Sequence, residues 1–459
     1  DNILALFLLP LFGRLSDRTN SKMGKRKPYI LIGTIIAAVV FIGIGFIDKY
    51  QMAAVHNLNI GPVLDITTPN IDPRTGKNIV EYYFEINGVI QEFTVNGVSY
   101  TQYVKPEVVS QARAAFIFEN VTKPNWYNLA GFISILFIVL LAMCSFRTPA
   151  VSLMPDVTLK PLRSKANAII NAMGTIGGAI SLGLITFIGT MKPTKNYDTF
   201  NYLPLFAVIS LAMLLMLTIF MVFVKETEWS DEMRRESLDL GIETEETENI
   251  EVGTKGEKMS PEVRKSFILI LSSVVLWFFA YNAATSKIAV YSTDVLYITQ
   301  YSIPMIVAFV SALIAFYPVG IVSTKIGRKI TIMGGLVIFV IGFVIGAFAS
   351  PDAQWLIYIA MAVVGVGWAS INVNSYPMVA EMSSGANIGV YTGYYYTASM
   401  AAQIFTPMVS GALMTWFGME YVLFPYAIFF GLAAMVTMFF VKHGEPKKIE
   451  TPVEEITAE

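Results

Sequence analysis

Apolar stretches of about 20 residues recur along this chain, separated for the most part by short polar turns. They fall near residues 28–47, 127–153, 164–190, 202–224, 266–292, 303–322, 330–349, 354–376, 387–414 and 421–441, after an incomplete run over 2–13. Each full run is long enough to cross roughly 30 Å of hydrocarbon as a helix, a form that satisfies its backbone polar groups internally. The pattern predicts an all-α polytopic membrane protein with ten full spans and one partial span. Because the chain opens inside an apolar run, we expect a first helix to precede it.

Two long polar intervals break the series. Within 48–126, the stretch GKNIVEYYFEINGVIQEFTVNGVSYTQYV alternates apolar and polar residues around Asn87-Gly88 and Asn96-Gly97. Alternation around Asn-Gly is a strong hairpin signal, so a small β-meander is expected there. Segment 225–265 holds 13 of the 34 acidic residues and lacks apolar clusters, which predicts a solvated spacer.

Composition agrees with membrane burial. Of the 459 residues, 54% are hydrophobic and 14% are charged, about half the charged share of a soluble domain. Segments 14–27, 48–126, 225–265 and 442–459 hold 49 of the 66 charged side chains. A net charge of −2 leaves no basic footprint, so no nucleic-acid partner is expected. The single Cys144 excludes an intrachain disulfide, and with only His56 and His443, both in polar segments, no metal site or cofactor is expected.

Lysine and arginine set the orientation. Arg14, Arg18, Lys22, Lys25, Arg26 and Lys27 form one cluster. Lys160, Arg163 and Lys165 form a second, and Lys325, Arg328 and Lys329 a third. All three fall on one side if the spans alternate, and that side is expected to be cytoplasmic. The loops near 350–353 and 416–420 carry neither residue, whereas Lys192 and Lys195 depart from the rule.

An internal repeat is also present. GRLSDRTNSKMGKRKPYI from Gly13 is matched by GIVSTKIGRKITI from Gly320, an offset of 307. LMPDVTLKPLRSKANAII, containing Pro155, is matched by SYPMVAEMSSGANIGVY, containing Pro377, an offset of 222. The 79-residue insertion over 48–126 accounts for most of the difference. The expected layout is 1–47 for the start of the first half, 48–126 for an extracellular β-rich insertion and 127–224 for the rest of that half. An acidic cytoplasmic linker over 225–265, a six-helix second half over 266–441 and a cytoplasmic tail over 442–459 complete it. Parallel repeats of this kind are typical of secondary transporters.

The motif GRLSDRTNSKMGKRKPYI resembles the signature of the major facilitator superfamily. Its Lys-Arg-Lys-Pro-Tyr-Ile ending, together with RTPAVSLMPD, RSKAN and FFAYNAATSKIAVYSTDVL, looks like the branch of sucrose–proton symporters and glycoside–pentoside–hexuronide cation symporters. The resemblance implies a major facilitator fold of two six-helix halves and cation-coupled symport of a sugar or glycoside. Two positions depart from that branch: the acidic residues of melibiose-type sodium sites are replaced by Leu9 and Ala5, and an arginine expected near Asp156 is replaced by Val151. The coupling ion expected is therefore a proton.

Ionisable groups at membrane depth are functional candidates. Asp1, 12 residues before Gly13 and so about 18 Å from that end of its helix, is expected to carry the coupled proton. Arg147, nine residues before Asp156, either holds a substrate hydroxyl or carboxylate or snorkels to the interface. Lys287 either faces the cavity, pairing with Asp1 or an acidic substrate, or snorkels outward. Polar and aromatic residues suited to sugar binding are Asn167, Asn171, Trp277, Tyr281, Asn282, Trp368, Asn372, Tyr395 and Gln403. The GxxxG spacing of Gly174 and Gly178 predicts close helix packing.

Asp17, Arg18, Lys25, Arg26, Asp156 and Glu381 are expected to form a cytoplasmic gate, with Asp17 pairing with an arginine or a helix N-terminus when that end is closed. Taken together, the sequence predicts a plasma-membrane symporter, monomeric in the bilayer, with a small-molecule sugar or glycoside as its partner. A lipid or amphipathic-molecule transporter of the same superfamily and a receptor sensing through the β insertion are the alternatives. An enzyme is not expected, because no nucleophile and base pair, metal cluster or phosphate loop stands at a workable spacing.

Overall fold

Leucine, isoleucine, valine, alanine and phenylalanine runs bounded by glycine, proline and charge become long helices in the computed structural model. It describes residues 2–71, 73, 76–95, 98–102, 106–190, 201–242, 260–298, 302–383 and 387–446. Asp1, Asn96-Gly97, Lys192, Lys195, residues 243–259 of the acidic linker and residues 447–459 of the C-terminal tail lie outside these residues.

In chain order the helices are α1 (Asn2–Asp17), α2 (Lys27–Asn57), α3 (Pro106–Ile117), α4 (Trp126–Asp156), α5 (Arg163–Thr190), α6 (Leu203–Phe223) and α7 (Glu226–Asp239). They continue with α8 (Pro261–Asp294), α9 (Ile303–Ile326), α10 (Arg328–Ala347), α11 (Trp355–Glu381), α12 (Ile388–Phe417) and α13 (Met419–Phe439). Eight of them, α2, α4, α6, α8, α9, α10, α11 and most of α13, have both the length and the composition to cross a membrane. α5 and α12 are long enough as well and carry Asn, Ser, Thr and Tyr along their length.

Local chemistry sets the helix ends. Ser260 starts α8, its hydroxyl accepting the Val263 N–H, with Pro261 at the first helical position. Gly327 ends α9 with φ of 97°, a conformation open to glycine that turns the chain directly into α10.

The chain divides into two compact units. The first comprises Asp1–Gly33, Met143–Gly178 and Phe220–Glu459. Its main apolar cluster is built on α8, α10, α11 and α13, where Trp277, Ile288, Phe339, Phe343 and Phe424 are almost fully buried. α1 lies along α12. Gly389 and Gly393 make this possible: a Cβ on Gly389 would stand 2.5 Å from the Gly13 carbonyl oxygen, and one on Gly393 would collide with Pro10.

The second unit comprises Thr34–Ala142 and Ala179–Ile219. Here α2 continues to Asn57, beyond the apolar run, and leads into β1 (Ile60–Ile71), which pairs antiparallel with β2 (Asn78–Ile86). Asn87 and Gly88, both at positive φ, turn β2 into β3 (Val89–Ile90), as the Asn-Gly signal predicts. β4 (Phe93–Val95) and β5 (Val98–Tyr100) form a separate hairpin. α3 covers the larger sheet, burying Val109 against Val63 and Phe84, while the Arg113 guanidinium donates to the Gly61 carbonyl at 2.7 Å.

Two expectations are corrected. The linker does not begin as solvated spacer: residues 226–239 are helical, and Glu226 at their head is 4% exposed. Gly174 and Gly178 do not mark a close helix contact among the described residues, since a Cβ on either would meet nothing within 4 Å.

Candidate functional site

The ends of the helices that carry the basic clusters converge within the first unit. Gly24, with φ of 105°, bends the α1–α2 turn so that the N–H groups of Lys25, Arg26 and Lys27 point the same way. They converge on the Glu226 carboxylate: Lys25 donates at 2.6 Å and Arg26 at 2.9 Å to Oε1, and Lys27 at 2.9 Å to Oε2. The N–H groups opening a helix lack intrahelical partners and attract an anion, so Glu226 caps α2. A Cβ on Gly24 would collide with that carboxylate. In return the Lys27 ammonium donates to the Val224 carbonyl at 2.7 Å, holding the last turn of α6.

The same device recurs at α10. Glu445 accepts the N–H of Arg328 at 3.0 Å and of Lys329 at 2.6 Å, and the Lys329 ammonium donates to the carbonyls of Phe439 at 2.8 Å and Val441 at 2.6 Å. Each cap therefore joins the start of one helix to the end of another across a long stretch of sequence.

Arg26 is fully buried between two carboxylates. Its Nε donates to Asp156 Oδ2 at 2.7 Å, its Nη2 is 2.7 Å from Asp17 Oδ1, and its Nη1 donates to the Ser16 hydroxyl. Burial opposes the charge, but Asp156 and Asp17 more than offset it, and the pKa of Arg26 lies above the ordinary arginine value. Asp17 is shared: Oδ1 accepts the Gly389 N–H at 2.9 Å and Oδ2 the Val390 N–H at 3.0 Å, at the first turn of α12. One carboxylate thus joins Arg26, at the head of α2, to the positive end of the α12 dipole.

A second buried cluster gathers on Glu381. Arg328 Nη1 donates to Glu381 Oε2 at 3.2 Å, and Arg163 Nη1 lies 3.5 Å from the same oxygen. Arg163 also donates to the Pro155 carbonyl at 2.8 Å. Arg328 reaches the Ser164 hydroxyl at 3.1 Å and the Lys160 carbonyl. Nearer the middle of the helices, Asn167 on α5 donates to the Asn372 and Val373 carbonyls of α11 at 3.1 and 2.8 Å. Asn372 returns a bond to Asn171 at 3.3 Å.

Of the six residues expected at a gate, Asp17, Arg26 and Asp156 meet in one cluster and Glu381 in the other. The side chains of Arg18 and Lys25 stay exposed on the rim. Glu226, Glu445, Arg163 and Arg328 complete the arrangement; the two arginines were read from sequence only as orientation-setting charges, and the two glutamates were not singled out. A signal was present: Val-Lys followed closely by Glu closes both α6 (Val224-Lys225-Glu226) and α13 (Val441 to Glu445), each matched to a glycine and a basic pair at the head of α2 or α10.

The residues expected to bind substrate separate into groups. Tyr281 lies flat on Trp368 at 3.7 Å between ring centres, with Phe278 edge-on at 5.2 Å. Trp368 and Asn372 are one turn apart on α11, which links this stack to the Asn167–Asn171 ladder. The Arg147 guanidinium sits over the Tyr396 ring at 5.1 Å with its side chain exposed, and Tyr396 packs edge-on against Tyr395 at 5.5 Å. Tyr395 itself is 4% exposed and bonds the Ser375 hydroxyl at 2.9 Å, so it supports Tyr396 from behind.

Gln403 follows two turns beyond Tyr396 on α12. Lys287 is half-buried on α8 and forms no ion pair among the described residues. Two residues fall elsewhere. Trp277 is 1% exposed inside the apolar cluster, packed as a core residue. Asn282 stands one turn from Phe279, whose ring stacks on Phe430 of α13, and its Nδ2 is buried with no hydrogen bond to the described residues.

Comparison with known proteins accords with this architecture. The family model described as Major Facilitator Superfamily matches residues 297–458, and that described as MFS/sugar transport protein matches residues 2–50. The search of curated proteins returned no match. Among solved structures, the chain is similar to the proton:xylose symporter XylE bound to 6-bromo-6-deoxy-D-glucose. The TM-score is 0.59 and the identity 15%, over 99% of this chain and 88% of that one. It is similar also to a bacterial homologue of the iron transporter ferroportin in an outward-facing state, with a TM-score of 0.58 and 12% identity over 95% and 87% of the two chains. A third is FucP in the outward conformation, with a TM-score of 0.52 and 10% identity over 96% and 97%. At these identities the likeness is one of fold.

Proposed function

We propose that this chain belongs to the major facilitator superfamily and is a secondary transporter coupling a proton to uptake of a sugar or glycoside by alternating access, a reading supported by the two partial family-model matches and the fold. One observation carries the reading. Asp17 binds the first turn of α12, and Arg163 and Arg328 converge on Glu381, so segments far apart in sequence are clamped at one end of the helices. These contacts are bonded pairs that can form or separate as units, which suits an end that closes and reopens. By the positive-inside rule, the three basic clusters support a cytoplasmic location for that end.

The substrate chemistry rests on the Tyr281–Trp368 stack, the exposed Arg147 over Tyr396 and the amides of α5 and α11. Aromatic faces carry the C–H surface of a sugar, while amides and a guanidinium take its hydroxyls. Asp1 is assigned the coupled proton, since Leu9 and Ala5 leave no carboxylate for sodium in that part of α1. The transporter acts as a monomer in the plasma membrane and needs no cofactor. The test is uptake of a panel of labelled mono- and disaccharides into proteoliposomes, with and without an inward proton gradient. Gradient-stimulated accumulation of one class supports the reading, and no flux of any sugar under either condition defeats it.

A further inference from the structure

A cavity of about 700 Å3 opens beside the Arg26 cluster, bounded by the α1–α2 turn, the α4–α5 connection and α7. Its floor includes Asp17, Asp156 and Glu226. Each of these carboxylates is already engaged, the first two by Arg26 and the third by the N–H groups that open α2. Their charge is therefore largely offset by these partners.

Five cations also line the cavity, Arg18, Lys25, Lys160, Arg234 and Arg163, the last already held by Glu381 and the Pro155 carbonyl, and Asp231 is the remaining acid of the lining. Arg18 and Lys25 are exposed and form no ion pair among the described residues. Thr227 and Ser230 of α7 belong to the lining as well. Arginine forks, a lysine point charge and hydroxyl donors are the groups that hold phosphate, and the volume suits a ligand of sugar size.

We propose that this cavity binds a phosphorylated polyol, through its phosphate at Arg18 and Lys25 and its hydroxyls along α7. Ser383 and Ile388, at the approach to α12, line the same cavity as the α1–α2 turn. A bound ligand therefore spans the Asp17 contact with α12 and holds that end closed, so occupancy slows transport. The site is separate from the aromatic and amide groups above and stands whatever solute is carried. Two sources offer the chemistry: the headgroup of a phosphoinositide, or a soluble sugar phosphate.

The test uses the full-length protein in phosphatidylcholine nanodiscs. One arm adds phosphatidylinositol 4-phosphate to the disc and scores bound lipid by native mass spectrometry. The other titrates glucose 6-phosphate by calorimetry. Saturable one-to-one binding in either arm supports the site and identifies its source. Arg18→Gln with Lys25→Gln is expected to weaken it about tenfold or more, through loss of two charge-assisted contacts. Ser230→Trp, which fills the cavity and leaves every charge in place, is expected to abolish it. Binding of neither probe by the wild type, or binding indifferent to both the double variant and Ser230→Trp, overturns the proposal.

Discussion

Replacing Asp17 with asparagine tests the clamp with the least change of shape. The wild-type carboxylate takes the Gly389 N–H at 2.9 Å, the Val390 N–H at 3.0 Å and the Arg26 guanidinium at 2.7 Å, with a side chain 4% exposed. Asparagine keeps one acceptor oxygen and the volume but loses the charge. A charge-assisted hydrogen bond exceeds a neutral one by about 1 kcal/mol, so the N–H contact kept by the remaining oxygen loses about 1 kcal/mol, and the one left facing the new NH2 donor loses at least as much. Weakened pairing with Arg26 adds about 1 kcal/mol more, because Asp156 still holds that guanidinium. A total near 3 kcal/mol moves the closed-to-open equilibrium by roughly a hundredfold. The assay is electron–electron distance spectroscopy between spin labels at Lys22 and Arg264, both exposed, in a Cys144→Ser background. The wild type is expected to show one distance population, and Asp17→Asn a second, longer one. An unchanged distribution in Asp17→Asn would refute the assignment of Asp17 as a clamp.

Three further outcomes are expected. Gly393→Ala places a methyl group against Pro10 where α1 and α12 touch, so it is expected to open the same end and to lengthen the same spin-label distance. Glu226→Gln removes the charge and replaces one of the two oxygens that accept the N–H groups of Lys25, Arg26 and Lys27 with an NH2 donor; a loss of about 2 kcal/mol or more at this 4% exposed position is expected, read as a lower unfolding temperature in detergent. Asp1→Asn is expected to abolish gradient-driven accumulation while sparing exchange of labelled for unlabelled solute; retention of accumulation would remove Asp1 from the coupling role.

The long apolar runs were readable because a helix in lipid needs about 20 apolar residues whatever it packs against. The turn at Asn87-Gly88 was readable because positive φ at two successive positions selects that pair. β1 was not. Its Thr67-Thr68-Pro69-Asn70 stretch breaks the alternation, and only pairing with β2 makes it a strand.

The charged end was legible as composition and opaque as geometry. Arg26 and Asp156 lie 130 residues apart, and Lys25 and Glu226 201 apart, so nothing local marks them as partners. Glu226 was read with the acidic linker because its neighbours in sequence are acidic, whereas its surroundings in space are the N–H groups that open α2. For the substrate residues, type was visible and direction was not. Trp277 and Tyr281 are one turn apart on α8, yet one is sealed in the core and the other stacks on Trp368.

The central claim is coupled movement of solute and proton, and the most direct measurement is the pH of a lightly buffered suspension of cells or proteoliposomes when a transported sugar is added. Symport predicts transient alkalinisation of the outside medium, proportional to uptake and abolished by a protonophore. A sugar that is taken up with no pH change, or with one that requires sodium, would contradict the account.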